Sequence, residues 1–89
     1  MYVIIAYDVS VERVNKVKGY LRTQLTWVQN SLFEGELSES RYMAVESKLK
    51  KLCNLSEDSV TIYIFPNEKA FGREDIGVKK GGSSKDVVL

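Results

Sequence analysis

The chain has 89 residues, with 13 Lys and Arg against 12 Asp and Glu for a net charge of +1, and it is 44% apolar and 28% charged. That describes one small globular domain, and no apolar run approaches the ~18 residues of a membrane span. With no histidine and a single cysteine, Cys53, the chain has no imidazole base, no Ser-His-Asp or Cys-His nucleophile, no intrachain disulfide and no His- or Cys-rich zinc site. What remains is oxygen chemistry, with carboxylates and hydroxyls acting alone or on hard cations. The start has no basic-then-apolar leader pattern, so a cytoplasmic location is expected.

Met1–Ser10 is an apolar, β-favouring run that ends in one acid, Asp8. A short run of this kind, bounded by a turn signal, predicts a strand buried on both faces. Asp8 then stands at a strand exit, where α/β scaffolds gather chemistry; spacing alone also allows it to cap the following turn. Ser10 is a candidate N-cap, and Val14, Val17, Leu21 and Leu25 follow at helical spacing. Arg13, Lys16, Lys18 and Arg22 share this helix, and no acid lies between Glu12 and Glu34. These cations read either as a solvated surface or as a flank that meets phosphates.

Trp27–Phe33 predicts a second strand with an unusually polar centre, Gln29-Asn30-Ser31, which must face solvent, an interface or a site. Glu34-Gly35-Glu36-Leu37 reads as a tight reversal or bulge leading into a short third strand. Ser38 or Ser40 then caps a helix reaching about Cys53, with Tyr42, Val45, Leu49 and Leu52 as its apolar stripe. Asn54–Asp58 is a polar loop, and Val60–Phe65 is the clearest strand, stopped by Pro66. Beyond Asn67 periodicity fades, with Phe71 and Ile76-Gly77-Val78 as local anchors and linker-like composition over 79–85.

Strand, helix, strand, strand, helix, strand is the α+β, ferredoxin-like βαββαβ sandwich. It is assigned to residues 1–78, with 79–89 as a tail that is flexible or crosses to a partner. Both helices cover one face of such a sheet, so the other face needs a cover. A chain this short buries about two-thirds or less of its unfolded surface. Homodimerisation answers both needs.

Three segments together resemble CRISPR-associated protein 2: Tyr7-Asp8-Val9, the block from Trp27 to Leu37 with its Gln-x-Ser-hydrophobic-Phe-Glu-Gly pattern, and Asp58-Ser59-Val60-Thr61-Ile62-Tyr63. The resemblance spans nearly the whole chain, and the middle block is its most specific part. It implies a homodimer in the adaptation stage of CRISPR immunity, joined to the spacer integrase, CRISPR-associated protein 1. It also implies a metal-dependent endonuclease acting on single-stranded RNA or double-stranded DNA. In that picture Asp8 of each subunit faces its copy across the two-fold axis and holds Mg²⁺ or Mn²⁺, while Ser31 and Phe33 position the site. The chain departs from the family where Thr26-Trp27-Val28 replaces an arginine common before the middle motif. It departs again where Arg13 and Lys16 stand in for paired arginines, since Lys16 lacks bidentate phosphate geometry.

Two other functions compete with a nuclease. One is a non-catalytic dimeric scaffold that grips duplex DNA through Arg13, Lys16, Lys18 and Arg22 while the integrase does the chemistry. The other is a ligand-binding regulatory dimer, against which stands the lack of a glycine-rich loop after the first strand.

Overall fold

Val3, Ile5 and Tyr7 alternate with Ile4, Ala6 and Asp8, and a period of two sends the two sets to opposite faces of a sheet. The computed structural model describes residues 1–81. It orders them as β1 (Tyr2–Asp8), α1 (Val11–Arg22), β2 (Thr26–Gln29), β3 (Leu32–Glu36), α2 (Glu39–Leu52) and β4 (Ser59–Phe65), followed by a 3₁₀ turn at Glu68–Ala70. The strands lie in the order β2-β3-β1-β4 and all neighbours are antiparallel, giving the ferredoxin-like α+β fold expected from the element order.

β1 is the central strand. It pairs with β3 from Tyr2↔Glu36 to Ala6↔Leu32, and with β4 from Tyr2↔Phe65 to Asp8↔Ser59. Val3, Ile5 and Phe33 are wholly buried beneath Val17 and Leu21 of α1 and Val45 and Leu49 of α2. Each such side chain contributes roughly 1.5–3 kcal/mol by leaving water. Both helices start at serine caps: Ser10 Oγ accepts from the Glu12 N–H, and Ser38 Oγ from the Arg41 N–H at 3.2 Å, so Ser38 rather than Ser40 is the second cap.

The region after α1 differs from expectation. Trp27–Phe33 is not one strand; Asn30 and Ser31 form the two-residue turn of a hairpin between β2 and β3. Asn30 takes φ 42°, a left-handed conformation that Asn tolerates better than most residues, and its carbonyl accepts from the Trp27 indole N–H at 3.0 Å. The polar Gln29-Asn30-Ser31 centre is therefore turn chemistry. The register also shifts between Trp27 and Gln29, which places a bulge at Val28. Gly35 lies inside β3, not at a reversal, and a Cβ there would sit 3.0 Å from Leu25 Cδ2.

The segment after β4 turns back over the sheet face that lacks helices. Phe71 packs on Phe65 and Tyr2, with ring centroids 4.5 and 5.5 Å apart, and Arg73 forms an ion pair with buried Glu34. Gly81 lies against the backbone of Trp27 and Val28 so closely that a Cβ would strike both carbonyl oxygens. The anchors are thus Phe71, Arg73 and Gly81, whereas Ile76 and Val78 point outward. The chain itself covers part of the face for which a second copy was expected. Most of the expected tail, residues 82–89, lies outside the described residues. Among the described residues no helix is long and apolar enough to cross a membrane.

Replacing Phe33 by Ala should cost roughly 3–5 kcal/mol in urea unfolding, because the emptied volume lies between the sheet and both helices. At the hairpin, Asn30→Val should lose about 1–2 kcal/mol and Asn30→Gly almost nothing, the signature of a left-handed backbone.

Candidate functional site at the exit of the first strand

Asp8 is the last residue of β1 and is exposed. By alternation it shares the helix-free face with Ile4 and Ala6, directly across from Ser59 of β4. Its carboxylate has no ion pair or hydrogen bond among the described residues, so it is available to a ligand.

Its neighbour Tyr7 points the other way, into the core, where its ring stacks on Phe33 at 6.2 Å. The Tyr7 N–H donates to the Ser31 carbonyl at 3.1 Å, which ties the end of β1 to the hairpin turn. Burial pushes the Tyr7 phenol above its ordinary value, against the opposing effects of the Ser31 side chain and the Arg22 charge. It therefore stays protonated at neutral pH and is no general base. The structure thus brings Asp8, Tyr7 and Ser31 together at one end of the sheet. Phe33 lies beneath them, wholly buried, and works through packing rather than contact with a ligand.

The basic residues of α1 do not form one patch. At 100° per residue, Lys18 and Arg22 fall on one flank of the buried stripe, Arg13 on the other, and Lys16 on the outer surface. Lys16 and Arg22 are exposed and Lys18 is partly exposed. Arg13 is committed elsewhere: its guanidinium forks onto Asp58 and also meets Glu57 at 2.8 Å and Glu12 at 3.7 Å. Four cations on one helix thus become three available ones and a structural one.

Sequence reasoning gives no role to Asp58. It stands one residue before β4, and its side chain is shielded from solvent. Oδ1 accepts from the Ser10 N–H and from Arg13 Nη2, each at 3.0 Å. Oδ2 accepts from Arg13 Nε at 2.6 Å and from the Asn54 N–H at 2.8 Å. All four lone-pair positions of the carboxylate are filled. The Arg13 fork, with the Ser10 and Asn54 amides, holds the Asp58 carboxyl far below the usual carboxylate range, and the two acids push Arg13 higher still. Nearby, burial and then the Asp58 charge raise the Cys53 thiol, so it offers no thiolate nucleophile.

No group of three acidic, histidine or cysteine side chains suited to a metal occurs among the described residues. Asp8 supplies hard oxygen donors of the type Mg²⁺ prefers, and Mg²⁺ binds through one or two carboxylates while keeping several waters. At this strand end the chain offers one such carboxylate, Asp8.

Residues 1–72 match the family model for CRISPR associated protein Cas2. The chain is 51% identical over its full length to the CRISPR-associated endoribonuclease Cas2 of Methanothermobacter thermautotrophicus, covering 96% of that protein. It is 52% identical over 99% of its length to the CRISPR-associated endoribonuclease Cas2 2 of Archaeoglobus fulgidus, again covering 96% of the relative. A crystal structure of a Cas2 protein superimposes with a TM-score of 0.84 at 46% identity, covering 100% of this chain and 98% of that one.

The depressed Asp58 carboxyl sets a direction for stability against pH. The unfolded chain takes up this proton near the ordinary value of 3.8, the folded chain only at a lower pH. The contribution is therefore complete above the unfolded value and disappears as pH falls through the folded one. The urea midpoint should decline once pH drops below about 4, and Asp58→Asn should make that acid limb shallower.

Proposed function

Because the chain belongs to the Cas2 family of CRISPR-associated proteins, we propose that it is a metal-dependent endonuclease of the adaptation module, cutting phosphodiester bonds in single-stranded RNA or double-stranded DNA. The observation that carries this reading is Asp8: an exposed carboxylate at the end of the central strand, without a partner among the described residues. A homodimer brings two copies of it to one axis, so that a divalent cation, Mg²⁺ or Mn²⁺, receives two protein carboxylates. Such an ion supplies an acidified water and charge neutralisation on the phosphate. The chain's own part is to aim Asp8, and the Tyr7–Ser31 backbone bond and the buried Phe33 fix the strand end from below. Lys16, Lys18 and Arg22 hold the substrate backbone through phosphate contacts, a function that survives without base-specific readout.

A second reading draws on the thin ligand set of the single subunit: a dimer that spans duplex DNA for the spacer integrase, CRISPR-associated protein 1, without cutting it. Both readings use the dimer and the cations; they part at Asp8.

Single-stranded RNA and duplex DNA incubated with Mg²⁺ or EDTA, wild type beside Asp8→Asn, should separate them. Cleavage should require Mg²⁺ and fall at least 100-fold in Asp8→Asn, while duplex binding stays within twofold and weakens steeply with salt. Mg²⁺-dependent cleavage that survives Asp8→Asn would falsify the metal-site reading. The wild type should sediment as a dimer at micromolar concentration, and a monomer removes the paired site altogether.

A further inference from the structure

Asp8 projects from the last residue of a rigid strand, and only two loop residues, Val9 and Ser10, separate it from the start of α1. Rungs to β4 fix Asp8 on one side, through Ser59. On the other side the first tether is the Ser10 N–H, and it is held by the Asp58 carboxylate at 3.0 Å. Asp58 is itself the residue next to Ser59, so one short stretch, Asp58-Ser59, grips the chain both at Asp8 and two residues beyond it. The carboxylate that does this is shielded from water, uses its remaining positions on Arg13 and Asn54, and has no freedom to turn.

We propose that Asp58 is a positioning residue for Asp8: through the Ser10 N–H it fixes the exit of β1 and so the direction in which the Asp8 carboxylate points. The proposal rests on the reading of Asp8 as the working carboxylate. Misplacement of a reacting group by about 1 Å costs on the order of 100-fold in rate, so a supporting hydrogen bond two residues away carries weight. Arg13 has a part in this as the clamp that keeps Asp58 ionised and oriented, which explains why its guanidinium faces acids rather than solvent.

The bond can be removed from either end. Asp58→Asn replaces one acceptor oxygen by an amide that opposes Arg13. Ser10→Pro deletes the donor together with the capping hydroxyl, and Ser10 already has φ −50°, which a proline ring accepts. The matched controls are Glu57→Gln, which weakens the Arg13 network without touching Ser10, and Ser10→Ala, which removes the capping hydroxyl but keeps the N–H. In full-length, metal-free protein, Asp58→Asn should speed exchange of the Ser10 amide at least 100-fold and leave the Val3 and Ile5 amides protected. With Mg²⁺ and single-stranded RNA, kcat should fall about tenfold in Asp58→Asn and in Ser10→Pro, with KM within twofold, and stay near wild type in both controls.

An unchanged Ser10 exchange rate in Asp58→Asn overturns the proposal whatever the activity. Full kcat in Asp58→Asn and Ser10→Pro, with Asp8→Asn inactive, overturns it while leaving the metal-site reading intact. Full kcat in Asp8→Asn as well overturns that reading and this proposal with it. Should Asp58→Asn fail to fold, the comparison of Ser10→Pro with Ser10→Ala decides alone.

Discussion

The ladders on both sides of β1 are the constraint on which the rest of the molecule depends. A strand of seven residues, paired to β3 along one edge and to β4 along the other, cannot slip by one residue without turning Val3, Ile5 and Tyr7 out of the core. That fixed register decides that Asp8 emerges on the helix-free face and that Tyr7 does not. Both helices then have only one surface to cover, and the opposite face is left to the segment after β4. Phe71 and Arg73 meet it at an aromatic cluster and at Glu34, respectively. The half of the face near Ala6, Thr61 and Asp8 is the part those anchors leave alone.

Charge is organised with the same economy. The chain has no histidine to titrate near neutrality, and the environments around Tyr7, Cys53 and Arg13 each favour the form those groups hold at pH 7. Asp58 is equally locked, as an anion. A buried carboxylate with four donors and a forked arginine is costly to desolvate and strongly destabilising to break. Its value therefore lies in specifying one geometry at the junction of β1, α1 and β4. Against this background Asp8 stands out as an acid at a strand exit with no partner among the described residues.

Much of this was legible in the sequence because it is local. Val14, Val17 and Leu21 announce α1, Ser10 and Ser38 mark the helix starts, and the β-branched run at 60–65 announces β4 within one residue. The hairpin was not, because Asn-Ser is a weak turn signal beside the Gly-containing pairs that two-residue hairpins prefer, and Trp27 and Phe33 frame it like strand residues. The Arg13–Asp58 pair was hidden for another reason: 45 positions separate the partners, and periodicity says nothing across such a gap. The one available sign was an acid at the foot of the strand that pairs with Asp8. The fold of 67–81 over the sheet shows in Phe71 alone, since Arg73 and Gly81 act through partners that exist only once the sheet has formed.

The position of β1 at the centre has a consequence for the order of events in synthesis. The strand precedes every other described element, but its second ladder closes only when residues 59–65 have been added, more than fifty positions later. Contacts of that separation carry a large loop-closure entropy and form late. A nascent chain can assemble β1, α1 and the β2–β3 hairpin and still leave the end of β1 unpaired. The residue that matters most to the proposed chemistry is thus made well before the strand that holds it, and is among the last to be fixed in place.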